Sequence, residues 1–280
     1  MHRYTVVDAF ARRPLEGNPV AVFFDSADLS PDLMQRIAAE LQLSETTFVL
    51  PPDRGGDFRV RIFTPVNELP FAGHPILGTA VALYEWLKRD TLDTLHLETA
   101  MGVIPIDLAD DGGVMKIGMR QPLPTWKPYE HTAELLMALG VTSSTAPVEV
   151  YRNGPRHVFV GLDNVAALSG LEPDHKALAR FPDMAANCFA GAGGKWRTRM
   201  FSPAYGVVED PATGSAAGPL AIHLARHGLA EYGQDHEILQ GVEMGRPSRM
   251  LARASGTGDD VREVHVGGHG VVVANGIIHV

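Results

Sequence analysis

Apolar and polar positions along this chain fall mostly into short runs that alternate or are rich in β-branched residues. Clusters of Gly, Pro, Asn and Asp separate them. That period predicts strands over 4–10, 20–25, 46–50, 58–63, 94–99, 102–108 and 114–119 in the first half. In the second half it predicts strands over 147–152, 156–161, 185–190, 197–202 and from 237 onward. Gly17-Asn18-Pro19 marks a turn, and Asn275-Gly276 predicts a hairpin turn near the end. Ser30 as cap and Pro31 at the first position start a helix with Met34, Ile37, Ala38 and Leu41 as its apolar face. The run over 75–88 is helical and apolar on nearly every side, so protein must wrap it. Further helices are expected near 132–139, ended by Gly140, near 174–180, and over 216–227, ended by Gly228. The proline-rich passage over 121–128 reads as a linker. It divides the chain into 1–124 and 125–280, and the last strand is free to return to the first domain. Each half is strand-rich around one buried helix. The expected class is α+β: two similar domains, each a curved, mostly antiparallel sheet wrapped around a central helix.

The two halves also repeat one another. Arg61-Ile62-Phe63-Thr64-Pro65 matches Arg199-Met200-Phe201-Ser202-Pro203, and Pro70-Phe71-Ala72-Gly73-His74 matches Pro211-Ala212-Thr213-Gly214-Ser215. Each half therefore offers a loop and a helix start, expected to face a shared cleft. In the second loop, Gly214 brings backbone freedom and Ser215 is placed to cap the helix. The N–H groups of such a helix start attract an anion. Asp210 stands beside that spot, where a charged carboxylate is repelled. It must be neutral, be paired with a protonated His74, or handle a proton.

Composition narrows the function classes. At 280 residues the chain suits about two domains. A net charge of -9 with no basic cluster argues against nucleic acid. No run approaches the roughly 20 apolar residues of a membrane span, and the start MHRYTVVDAF has no leader pattern. Cys188 is the only cysteine, so no internal disulfide can form. A soluble cytoplasmic protein is expected.

Glu45 is the candidate base, since it precedes an apolar strand where desolvation can tune a carboxylate. The bland alternative is an exposed glutamate at a helix end. His74 can donate to a substrate or shuttle a proton, or it simply caps a loop. Asp210 can pair with it or hold a substrate amine, or it forms a turn before Pro211. Ser215, with the N–H groups of Gly214 and Ser215, can bind a carboxylate, or it is an ordinary cap. Other motifs fail on spacing. His223 and His227 have zinc-protease spacing, but Leu224 stands where the glutamate belongs, so two polar-face histidines are expected. Gly191 to Lys195 lacks the first glycine and the Ser/Thr of a P-loop. Gly256 and Gly258 meet Val261 where a dinucleotide fingerprint needs its third glycine. Cys188 beside Phe189 reads as a small buried hydrophobe.

The segments GNPVAVFF, LSETTFVL, RIFTPVNELPFAGHPILGTA, NGPRHVFVGL, NCFAGAG, RMFSPAYGVVEDPATGSAAGPLAIHLARHG and ILQGVEMGRPS resemble the PhzF family of phenazine-biosynthesis isomerases over nearly the whole chain. The resemblance implies a fold like diaminopimelate epimerase and a homodimer. It implies isomerisation of trans-2,3-dihydro-3-hydroxyanthranilate to an unstable amino-ketone, with no cofactor or metal. It assigns Glu45 as acid/base, with His74, Asp210 and Ser215 in support. Gly73 and Gly214 become the loop glycines whose N–H groups reach the substrate, and Ser44 the residue beside the base. The epimerases' paired cysteines correspond here to Ala72 and Pro211, which excludes a two-thiol mechanism. A related isomerase or epimerase acting on another small amino or keto acid shares this site logic. A silent binding protein would be free to lose Glu45 or His74, and both are present.

Overall fold

The computed structural model describes residues 1–87 and 93–280. Its contacts divide the chain into two compact units, Met1–Arg120 with Gly267–Val280, and Gln121–Val266.

The first unit runs β1 (His2–Ala9), β2 (Asn18–Phe23), α1 (Pro31–Leu41), β3 (Glu45–Leu50), β4 (Phe58–Phe63), β5 (Glu68–Leu69), α2 (Gly73–Leu87), β6 (Thr94–Thr99), β7 (Gly102–Asp110) and β8 (Met115–Arg120). The expected last residue of α2, Lys88, lies outside the described residues. β1 pairs antiparallel with β2, β2 parallel with β3, β3 antiparallel with β4, and β4 parallel with β6. β6, β7 and β8 continue antiparallel. Residues Gly73 to Leu83 of α2 are all buried, which accounts for its apolar sequence on every side. Helix and sheet approach so closely that a Cβ on Gly78 would stand 2.3 Å from Val20 Cγ1. α1 starts as its cap residue dictates, with Ser30 Oγ accepting from the Leu33 N–H. Its Met34, Ile37 and Ala38 pack on Phe23, Phe48 and Phe63.

The second unit runs β9 (Thr125–Pro128), α3 (Thr132–Leu139), β10 (Glu149–Arg152), β11 (Arg156–Gly161), α4 (Val165–Ser169), α5 (His175–Leu178), β12 (Ala185–Ala192), β13 (Lys195–Ser202), β14 (Val207–Asp210), α6 (Gly214–Arg226), β15 (His236–Gln240), β16 (Ser248–Thr257) and the start of β17 (Asp260–Ile278). β9 pairs antiparallel with β10, and β10 with β11. β11 runs parallel to β12, β12 antiparallel to β13, β13 parallel to β15, and β15 antiparallel to β16. The succession antiparallel, parallel, antiparallel, parallel, antiparallel is that of the first unit. α6 is buried from Gly214 to Leu224, as α2 is in its own unit. Among the described residues no helix is long and apolar enough to cross a membrane.

Two expectations need correction. Asn275-Gly276 is not a turn: both residues lie within β17 and pair with Thr5 and Tyr4 of β1. Thr5 donates to Asn275 Oδ1, and the Tyr4 ring covers Gly276, where a Cβ would stand 2.5 Å from the ring. The asparagine and glycine answer side-chain packing rather than backbone reversal. The proline-rich passage is only partly a linker, because Thr125–Pro128 is a strand paired with Glu149–Arg152. Its prolines sit where strands tolerate them, at or beside its ends. The short helix Val165–Ser169, capped by Asn164, was not foreseen, because its few residues show no helical period.

Cys188 is fully buried, and that burial pushes its thiol up to about 12. We expect no alkylation by a thiol reagent at pH 8 in the native protein and full alkylation after denaturation, scored by mass spectrometry.

Candidate active site

Each unit builds a polar constellation around the start of its central helix, from the same sequence device. In the first, the Arg61 guanidinium at the end of β4 makes two bonds of 2.7 Å to Glu68 and lies 5.1 Å from the Phe63 ring. In the second, Arg199 on β13 makes bonds of 2.9 and 3.0 Å to Glu209 and lies 4.9 Å from the Phe201 ring. These bidentate pairs staple the returning arm just before each helix. They also fix the register of the repeat: Glu68 matches Glu209, so Gly73 matches Gly214 and Ala72 matches Thr213. By this register the counterpart of Ala72 in the repeat is Thr213 rather than Pro211.

In the first unit, Glu45 opens β3 opposite Val20, and its side chain is 14% exposed. His74, at the start of α2 and 3% exposed, brings Nε2 to 3.3 Å from Glu45 Oε2. Asn18 Nδ2 lies 3.2 Å from His74 Nδ1. The turn that delivers Asn18 needs Gly17, whose φ is +69° and where a Cβ would stand 2.3 Å from the Ala9 carbonyl oxygen. Burial pushes His74 down to about 3, against a hydrogen bond to the Pro19 carbonyl that favours protonation. Burial thus favours a neutral His74 near pH 7. Thr47 and Thr79 hydroxyls, 2.8 Å apart, lock α2 to β3 behind this pair. Ser44 is half-buried in the bend before Glu45, and Gly73 is the first residue of α2.

In the second unit, Asp210 ends β14 and is 4% exposed. Thr213 occupies the cap position of α6, yet its hydroxyl turns away from the helix and donates to Asp210 Oδ2 at 2.7 Å. Gln240 on β15 ties the loop together. Its Nε2 donates to the Asp210 carbonyl (2.7 Å) and to Thr213 Oγ1 (2.9 Å). Its Oε1 accepts from Thr198 Oγ1 (3.1 Å) and the Thr213 N–H (3.3 Å). Ser215 does not cap the helix. It lies within the first turn, 5% exposed, with Oγ 3.0 Å from His157 Nε2. Neither Gly73 nor Gly214 is among the glycines with positive φ, so neither supplies a left-handed backbone.

Pro219 inside α6 has no N–H for the Ser215 carbonyl four residues back. The Asn153 amide supplies a donor to that carbonyl at 3.1 Å, and Gln121 Nε2 donates to the Gly214 carbonyl at 2.7 Å. Side chains from outside the helix thus hold its first turn.

The other cluster of this unit is Glu149, His223 and His227, whose ligand atoms all lie within 4.8 Å of one another. His223 is fully buried, which corrects the expectation of polar-face histidines. Glu149 Oε2 also accepts from Arg226 Nη1 (2.6 Å) and Tyr151 Oη (3.0 Å), with His227 Nε2 at 3.0 Å. The Arg226 guanidinium already bonds Glu149 Oε2 and neutralises the carboxylate, so the donor set does not suit a metal. The glycines over 191–194 form the turn between β12 and β13, with Gly193 and Gly194 at φ +59° and +81°.

The family model described as phenazine biosynthesis-like protein, PhzC-PhzF, matches residues 7–276. The chain belongs to the PhzC-PhzF family. It is 66% identical over 277 residues, 99% of each chain, to the Pseudomonas aeruginosa protein named trans-2,3-dihydro-3-hydroxyanthranilate isomerase. The crystal structure of a Bacillus anthracis phenazine biosynthesis protein of the PhzF family matches with a TM-score of 0.86 at 26% identity, covering 100% of this chain and 99% of that one. A probable proline racemase from Agrobacterium radiobacter matches at 12% identity with a TM-score of 0.67, over 100% of this chain and 93% of that one. That likeness places the PhzC-PhzF chain in an epimerase-like fold.

Asn18, Asn153, His157, Asn187 and Gln240 carry the site geometry, yet spacing gave them no role. The available signal was a polar residue within a core strand, as in RHVFVG and AANCFA.

Proposed function

We propose that this protein isomerises trans-2,3-dihydro-3-hydroxyanthranilate to its amino-ketone tautomer, as a step toward phenazines. The observation that carries this reading is the 66% identity, over 99% of each chain, to a protein named for that reaction. Glu45 acts as the base. It takes the proton from the ring carbon that bears the hydroxyl, and the C–H electron pair enters the diene. Glu45 then returns the proton elsewhere on the diene, and the remaining enol tautomerises to the ketone. Neutral His74, with Nε2 3.3 Å from Glu45, steadies the base and the charge spread over the diene. Asp210 contacts the substrate amino group. The N–H groups of Gly73, Gly214 and Ser215, with the Ser215 hydroxyl, hold anionic oxygen. Ser44 lines the substrate beside Glu45. Moving one proton along a conjugated ring needs a base and preorganised donors, so the reading invokes no cofactor and no metal. The protein works in the cytoplasm, as a homodimer on a small-molecule substrate.

The test is incubation of the purified protein with trans-2,3-dihydro-3-hydroxyanthranilate, followed by ultraviolet absorbance. Loss of the diene chromophore and growth of coloured condensation products are expected. An unchanged substrate would leave a related isomerase or epimerase of another small amino or keto acid as the reading. Light scattering at the same concentration checks the dimer.

A further inference from the structure

We propose that His157 is a positioning residue that holds Ser215 as a hydroxyl donor toward an anionic ligand. The inference rests on the reading above in taking that ligand to be the substrate carboxylate.

Three buried side chains form a line within the second unit. Asn187 on β12 is 2% exposed, His157 on β11 is 1% exposed, and Ser215 on α6 is 5% exposed. Asn187 Nδ2 donates to the Ala185 carbonyl at 2.9 Å. That bond fixes the amide, because the opposite orientation would set its oxygen against another carbonyl oxygen. The same Nδ2 lies 3.4 Å from His157 Nδ1. A donor amide there requires a lone pair on Nδ1, so in the neutral ring the proton sits on Nε2. Burial pushes His157 down to about 3, so the ring is neutral at working pH.

Nε2 is 3.0 Å from Ser215 Oγ and donates to it. The serine oxygen therefore accepts from within the protein, and its own proton is left for an acceptor beyond. Asn187 thus sets, through one imidazole, the polarity of a hydroxyl in the first turn of α6. A hydroxyl so constrained favours a carboxylate and disfavours a ligand group that has only protons to offer. The side chains of this line stand far apart in sequence, Ser215 lying 58 residues from His157 and His157 30 from Asn187, so no local motif announces it.

Two measurements test it. The first is nitrogen NMR of the full, uniformly labelled wild-type chain, with the His157→Gln spectrum used to assign the signals. We expect a protonated Nε2 and an unprotonated Nδ1 throughout pH 5–8. A protonated Nδ1 with a bare Nε2 would overturn the proposal. The second compares binding of 3-hydroxyanthranilate, an aromatic carboxylate probe, with 2-aminophenol, which lacks the carboxylate. His157→Leu should weaken the carboxylate probe about tenfold and leave 2-aminophenol unchanged. His157→Gln, whose amide N–H can replace the imidazole donor, should recover most of the loss. Equal weakening of both probes, or no weakening of either, would contradict a role through Ser215. Failure of the wild type to isomerise its substrate would sink the reading of the reaction and leave both of these measurements standing.

Discussion

Glu45→Gln folds like the wild type and loses turnover by about 10²–10⁴-fold, the usual contribution of a positioned acid or base. The glutamine keeps the shape of the side chain and one oxygen but cannot accept the C–H proton. Glu45 is partly exposed, at 14%, and the His74 beside it is neutral, so the charge lost is not paired with that imidazole. Circular dichroism and thermal melting should therefore match the wild type, while the diene chromophore persists. A binding titration with 3-hydroxyanthranilate should give nearly wild-type affinity, which locates the loss in chemistry. Wild-type rates in this variant would remove Glu45 from the mechanism. His74→Asn should be milder, since it removes a neutral partner and leaves the base.

Glu149→Ala destabilises the second unit by about 1–3 kcal/mol, the range for removing one partner from a set of buried polar groups. Glu149 gathers Arg226, His227, His223 and Tyr151 around one carboxylate, and Arg226 also lies 4.7 Å from the Trp126 ring. Without that carboxylate, Arg226 keeps its charge at a site where it is only 10% exposed, and Asp259, 2.7 Å from its Nε, is its remaining carboxylate partner. Urea titration of each variant checks this. Replacing both partners by methionine should recover most of the loss, because apolar side chains fill that space without a desolvation penalty.

The same groups set the acid limit of stability. Burial works to raise the Glu149 carboxyl, but its bonds to His223, His227, Arg226 and Tyr151 outweigh that and hold it below the ordinary carboxylate range. Its contribution is complete above the unfolded carboxylate pKa, about 4.3, and is lost as pH falls below that value. His74 and His157 act earlier. Both are held at about 3 in the fold by burial, while the unfolded imidazoles titrate near 6.5. Between those values the unfolded chain binds more protons, so acid favours unfolding. Stability should fall from about pH 6.5 downward. Flat stability between pH 7 and pH 4 would contradict the neutral buried imidazoles.

Much of the fold was legible because its signals are local. α2 is apolar on every side because a sheet surrounds it, and the Ser30-Pro31 pair announced α1 within its own turn. Glu45, His74, Asp210 and Ser215 drew attention because they flank glycine loops in a repeated frame. What they do was less legible. Ser215 resembled a cap by position, but His157 claims its hydroxyl, and Thr213 takes the cap position only to bond Asp210. Gln240 is 27 residues from the Thr213 it holds, and Asn153 is 62 from the Ser215 carbonyl it completes. Such partners come from topology, which periodicity does not give. Asn275-Gly276 misled for the same reason, since the Tyr4 ring that explains the glycine lies at the other end of the chain.

The most direct measurement follows one hydrogen. Substrate carrying deuterium on the carbon that bears the hydroxyl is turned over in ordinary water, and the product is read by mass spectrometry and NMR within the first turnovers. If Glu45 carries the proton between two ring positions, deuterium appears at the new carbon well above the solvent background. Product that contains only solvent hydrogen, together with normal turnover by Glu45→Gln, would contradict a single shuttling carboxylate.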